Sequence, residues 1–289
     1  MAKKLLKRTL WWFVGVGALI VYQFAFYFPD IVEKIYSRGL YPVLTKIFSH
    51  ITKYIPFSLS EVLIYLLIVG AVVFLVFFVR SFFGADKLRR IFSKLIALVT
   101  AGCFAYAIFV FGWAINYARM PLANSMGLDV HPSENQELIS LCETLADQAN
   151  TLRPLVAEDE NGVYTLSRDL SEICADVQTL YDAHADELMN LGGSTRIKPV
   201  FTDHALSYVE TMGIFSPFTY ECHLNAEMSD LYLASTAAHE YSHFKGFARE
   251  DEANFIAWYT CYLSDDIDFA YSGTMLALNN AMNNLHLLS

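Results

Sequence analysis

Residues 231–246 read Leu231-Tyr-Leu-Ala-Ser-Thr-Ala-Ala-His239-Glu240-Tyr241-Ser242-His243-Phe-Lys-Gly246. The apolar run before His239 predicts an α-helix, with Ser229 or Asp230 as its start signal and Gly246 as its stop. On a helix, positions i and i+4 share a face. His239 and His243 are therefore expected to present two imidazoles to one Zn²⁺. Glu240 then stands beside a zinc-bound water as general base. The plainer alternative is a helix with two ordinary surface histidines. The helical context, which the metal reading requires, argues against it.

A third ligand is expected close downstream. Arg249 occupies the position where a metzincin pattern would carry one, and a guanidinium stays protonated and cannot bind zinc. The acidic run Glu250-Asp251-Glu252-Ala253-Asn254 supplies the alternative. Glu250 and Glu252 point in different directions on a helix, so only one is expected to ligate. Glu250 is preferred because Asn254 falls at i+4 on its face, where it can orient a ligating histidine. Glu252 stays open as the other choice. Alone, the run would read as a charged first helical turn facing the helix dipole.

The rest of the chain is unusually apolar. Of 289 residues, 55% are hydrophobic, and the mean hydropathy is +0.34. Three long apolar runs, at about 10–28, 62–83 and 91–115, are each long enough to cross a bilayer as a helix. The first follows Lys3, Lys4, Lys7 and Arg8 and lacks a small-residue cleavage site, so it reads as an uncleaved span rather than a signal peptide. The N-terminus and the second loop (Arg80, Lys87, Arg89, Arg90, Lys94) hold most of the basic residues of this half. The first loop has only Lys34, Lys46, Lys53 and Arg38, spread along an amphipathic helix. This bias predicts a cell-membrane protein with a cytoplasmic N-terminus and an extracytoplasmic C-terminal part. Residues 1–116 are read as a membrane domain and 117–289 as the outer domain.

From residue 117 onward, 7 Lys and Arg face 26 Asp and Glu, a net charge of −19. Such a surface excludes a nucleic-acid partner. The expected partners are the lipid bilayer and a peptide or protein substrate outside it. Cys142, Cys174, Cys222 and Cys261 lie in the outer domain, where disulfides are permitted but not required. Their spacing does not suggest a structural zinc site.

Within the outer domain, Ser133 and Glu134 open one helix, which Arg153-Pro154 ends. Asp159–Gly162 forms a turn before a short strand at 163–166. A helix over 168–190 closes at Gly192-Gly193. Residues 197–201 form a strand, 204–212 a helix, and Phe218–Asn225 a strand that offers its edge to an extended peptide. Tyr220 and His223 on that strand are candidates to donate to a developing oxyanion, against a plainer reading as ordinary strand residues. Trp258 and Tyr259 read as core, and His204 and His286 as structural or surface residues.

Several segments carry a family resemblance: Asn116–Leu122, Asp147–Arg153, Lys198–Val200, Pro217–Thr219 with Asn225, and His239 through Gly246 to Phe255. On these, the chain resembles a bacterial family of uncharacterised membrane proteins, a domain of unknown function, that carries HExxH after N-terminal spans. The zinc-site block is also similar to ImmA/IrrE-type metallopeptidases, which pair HExxH with an E-x-E-A-N-like segment. Here that segment is Glu250–Ala257, with Phe255 before Ala257 shifting the pattern slightly. The resemblance implies His239, His243 and Glu250 as metal ligands and Glu240 as the catalytic base. The resulting expectation is a mainly α protein. Three N-terminal transmembrane helices precede an α+β, zincin-like domain of gluzincin type with a short sheet. The expected activity is zinc-dependent peptide hydrolysis. The alternative is a non-catalytic zinc-binding membrane sensor or scaffold.

Overall fold

A computed structural model describes residues 9–83, 85–132, 134–186, 188–189 and 191–287. The flanking cations Lys3, Lys4, Lys7 and Arg8 and the expected cap Ser133 lie outside the described residues. The chain is mainly helical and forms two units. Unit 1 holds Met1–Tyr41 and Leu59–Arg119, and unit 2 holds Pro42–Ser58 and Met120–Ser289.

Unit 1 contains α1 (Trp12–Ala25), α3 (Leu59–Arg80) and α4 (Lys87–Gly112). The last two are long and apolar enough to cross a membrane. Their apolar side chains point outward: Leu66, Leu67 and Val69 on α3 are all about 60% exposed. That is the expected arrangement for a helix solvated by lipid rather than by protein. The stretch expected at 10–28 differs. Helix α1 is 14 residues long, and the chain then turns by 108° into a helical stretch over Pro29–Thr52. At 1.5 Å per residue, α1 is about 21 Å long, short of a ~30 Å hydrocarbon core. A third crossing exists only if this bent pair counts as one broken span. The break falls before Pro29, which caps the new helix at its first position.

Close packing and a buried ion pair hold unit 1. Gly15 lies against Cys103, where an added Cβ would come within 2.8 Å. A π-helical segment, Val32–Leu40, carries Glu33, which receives Arg119 Nε at 2.9 Å and Nη2 at 2.8 Å. Arg38 Nε adds a third donor at 2.7 Å. A bidentate pair with a further cation satisfies the buried carboxylate, which would otherwise be costly.

Unit 2 includes α2 (Tyr41–Thr52) from residue 42 onward, within the loop expected between two spans. The boundary expected at residue 116 therefore misses part of this unit. The reason is a set of polar contacts between residues 42–58 and the sheet region. Lys198 Nζ donates to the carbonyls of Thr52 and Phe57, and Ser58 Oγ meets His223 Nε2 at 2.8 Å. Gly193 donates its N–H to Thr45 Oγ1.

The remainder of unit 2 comprises α5 (Asn135–Leu152), α6 (Leu170–Ala183), a three-stranded sheet, and then α7 (Asp230–Phe244), α8 (Glu250–Tyr262) and α9 (Ile267–Leu287). Helix α5 opens with a capping box between Glu134 and Glu137. The strand expected at 163–166 is a single bridge, Glu158 to Tyr164. The helix expected over 168–190 ends at Ala183. The sheet runs β1 (Ile197–Pro199), β3 (Glu221–Leu224), β2 (Gly213–Ser216) in space. Strand β1 is parallel to β3, and β2 is antiparallel to it. The strand before α7 is thus central, with both edges paired, and cannot offer an edge to a peptide. Strand β2, which the sequence reading missed, forms an outer edge.

Helix α7 is buried on nearly every side, among α8, α9, α6 and the sheet. Its small residues, Ala234, Ala237 and Ala238, are fully buried and allow this close approach. All five cysteines are free. Cys222 Sγ donates to the Glu240 carbonyl at 3.2 Å, which ties β3 to α7.

Candidate metal centre

The HExxH segment forms the last turns of α7. The helix stops in a Schellman arrangement: Gly246 N–H donates to His243 O, and Phe247 N–H to Ser242 O. Gly246 takes a φ of +90°, which only glycine adopts cheaply. The same turn presents the Phe247 carbonyl to His243, whose Nδ1 lies 2.7 Å away. A carbonyl only accepts, so Nδ1 carries the proton and the Nε2 lone pair is left for a metal.

The two imidazoles stand with ring centroids 4.7 Å apart and planes at 90°. Their Nε2 atoms converge on Glu250, with His239 3.2 Å and His243 3.5 Å from its carboxylate oxygens. One ligand atom from each of the three residues lies within 4.8 Å of the others. The histidines are largely buried, while the Glu250 side chain is 71% exposed. Two neutral nitrogens and one carboxylate on an open side form a donor set suited to zinc. Hydrogen bonds from His239 and His243 hold the Glu250 carboxyl well below its ordinary range. Burial pulls His243 down, but its bond to Glu250 and the charge of Glu240 outweigh this and raise it.

Glu240 lies beside this cluster and is 5% exposed. Burial raises its carboxyl, and the nearby histidines only partly offset that. The Phe215 N–H bonds to its carboxylate, yet its Oε2 has no hydrogen-bond partner. A buried carboxylate oxygen without a partner is expensive and calls for a functional explanation. Gly213, on β2, gives it room. A Cβ there would come within 2.7 Å of Glu240 Oε1 and Cγ.

The structure brings His239, Glu240, His243 and Glu250 together and leaves other expected residues elsewhere. Glu252 turns inward, 5% exposed, where its Oε1 accepts the Leu122 N–H at 2.7 Å. The Phe247 carbonyl, not Asn254, orients His243. Asn254 instead lines a cleft of about 600 Å³ with Leu141, Phe255 and Trp258. Trp258 and Tyr259 are half-buried rather than core, and stack with Phe255 and Tyr262. Tyr220 is buried and stacks on Phe48, and His223 is committed to Ser58 and the Ile214 carbonyl. Neither strand residue is available as an oxyanion donor. Gly213 and Phe215 carried no motif in the sequence. The local sequence, Gly213-Ile-Phe-Ser-Pro217, shows no alternation that would mark a strand.

Comparison with known proteins adds a family. The chain belongs to the family described as Protein of unknown function (DUF3810), which it matches over residues 36–288. That match spans unit 2 and α3 and α4 of unit 1. No curated protein and no solved structure matches the chain. For this DUF3810 chain, the functional argument therefore rests on the chemistry of the centre.

Proposed function

We propose that the chain is a membrane-anchored, zinc-dependent metallopeptidase with a zincin-like catalytic unit. The carrying observation is the convergence of His239, His243 and Glu250 beside a buried glutamate with an unpartnered oxygen. His239, His243 and Glu250 would hold the metal. Bound there, zinc supplies a Lewis acid that polarises a carbonyl and acidifies water.

The residues of the chain do the rest. Glu240, held by Phe215 N–H and raised by burial, accepts a proton from the attacking water. The water oxygen bonds to the carbonyl carbon. As the C–N bond breaks, Glu240 passes the proton to the leaving nitrogen. The Phe247 carbonyl keeps His243 in the required tautomer. An extended substrate pairs along the outer edge of β2, which places its backbone next to Glu240.

The connectivity supports the proposed topology. Residues 42–58 and the chain after Arg119 build one unit, so the chain leaves that unit before α3 and re-enters it after α4, as a two-helix hairpin requires. With the basic turn Arg80–Lys94 cytoplasmic, unit 2 is extracytoplasmic.

The test is peptide-library hydrolysis by the zinc-loaded full chain and by Glu240→Gln. The proposal expects cleavage by wild type only, with zinc retained in both. Equal cleavage by the variant would remove Glu240 from the chemistry. Zinc binding without any cleavage in wild type would support the sensor or scaffold reading instead.

A further inference from the structure

Unit 2 carries an excess of acid, yet its cations are distributed unevenly. Arg153, Arg168, Lys198 and Arg249 are each held by a carboxylate. Lys46, Lys53, Arg196 and Lys245 form no such ion pair among the described residues, and all four line two adjoining cavities. The cavities share Lys53, Gln178 and Ser194 as a common wall. The smaller, about 410 Å³, is polar, with Lys46, Ser49, His50 and Lys245 around it and Asp182 as its one carboxylate among the described residues. The larger, about 800 Å³, adds Arg196 but has an apolar side formed by Leu170, Ile197 and Leu224. Neither includes a residue of the metal centre. Lys245 lies at i+4 from Tyr241, over whose ring its ammonium sits, whereas His239 and His243 occupy another face of α7.

Four cations gathered around one carboxylate in a strongly acidic unit make a local positive potential, focused by the low-dielectric walls. Hydroxyls of Ser49 and Ser194 add uncharged donors at the same place. This set of point-charge ammonium groups and hydroxyls matches phosphate oxygens. The apolar side of the adjoining cavity matches the uncharged part of an amphipathic ester. Lys53 also stands close in sequence to Leu59, where the apolar helix α3 begins. We propose that these cavities bind a phosphate ester, the headgroup of an anionic phospholipid.

The test uses the full chain in detergent micelles, with native mass spectrometry counting retained phosphatidylglycerol against phosphatidylcholine. Wild type should prefer phosphatidylglycerol. Lys46→Gln/Lys53→Gln should lose about thirtyfold of that preference, as expected for removing two interfacial charges. Lys46→Arg/Lys53→Arg should keep it. The basic turn between α3 and α4 is unchanged in every variant, so the difference from wild type reports these cavities alone. Displacement of the lipid by millimolar inorganic phosphate would keep the phosphate site and assign it to a soluble ligand. Unchanged preference in a Lys46→Gln/Lys53→Gln variant with native circular dichroism would overturn the proposal, as would a wild type that binds neither lipid nor phosphate selectively.

Discussion

Two clusters of histidine, glutamate and hydrogen-bonding partners flank strand β3, and they are built to opposite ends. On one side, Lys198, Glu221, His223 and Ser58 are almost completely buried. Lys198 Nζ meets Glu221 Oε1 at 2.5 Å and two carbonyls besides, and both His223 nitrogens are bonded. On the other side, the Nε2 atoms of His239 and His243 converge on the exposed Glu250 carboxylate, and Glu240 leaves one buried oxygen unpaired. The first cluster spends its polar groups on holding residues 42–58 to the sheet. The second gathers two ring nitrogens and a carboxylate around one point on an open side. The two clusters draw on the same residue types and differ in exposure and in what their polar atoms face.

The comparison breaks most visibly at Glu240. Replacing it with Gln should lower hydrolysis by roughly a thousandfold, within the usual range for losing a general base, while the unfolding midpoint stays near wild type. A large loss of stability would make Glu240 a structural residue like Glu221. The mirror experiment is Lys198→Met, which removes the ammonium beside the buried Glu221 carboxylate. That change should cost about 3–5 kcal/mol, read by denaturant unfolding, with zinc affinity of the folded fraction preserved. Equal stability would mean that this cluster does not hold the unit together. A fragment beginning at residue 117 should fold poorly for the same reason, since it lacks the carbonyls that Lys198 needs.

Smaller effects sharpen the distinction. Gly213→Ala forces Glu240 to move without touching a ligand, and turnover should fall by on the order of 100-fold with zinc stoichiometry intact. Turnover at the wild-type level would show that β2 does not position Glu240. Glu252→Gln keeps an acceptor for the Leu122 N–H, so stability should change by about 1 kcal/mol or less, and metal content should be unchanged. Loss of zinc in that variant would return Glu252 to the ligand set.

Much of the His239–Glu250 cluster is legible because its residues are local in sequence. His239 and His243 sit one helical turn apart, and the stop at Gly246 and the charged turn at Glu250 follow directly. Glu250 and Glu252 face different ways on their helix: Glu250 lies at the histidines and Glu252 at the Leu122 N–H. The Phe247 carbonyl that orients His243 carries no sequence signal, because it is a backbone group. The sheet was read less well. Strand β3 was expected as an edge, since β2 is only four residues long and lies in a segment with weak alternation. Tyr220 and His223, weighed as oxyanion donors against ordinary strand residues, make structural contacts, and their partners Phe48 and Ser58 lie more than a hundred residues away. The same long-range pairing hid the membership of residues 42–58 in unit 2. In the apolar N-terminal part, hydropathy locates α3 and α4 to within a few residues, but it carries no signal for the bend before Pro29.

The most direct test is metal analysis of the purified full chain after zinc reconstitution, in wild type, Glu250→Gln and Glu252→Gln. The account predicts one equivalent of zinc in wild type and in Glu252→Gln, and less than stoichiometric zinc in Glu250→Gln. Wild type that takes up no zinc, or Glu250→Gln that holds it as tightly as wild type, would contradict the assignment of His239, His243 and Glu250 as a metal centre.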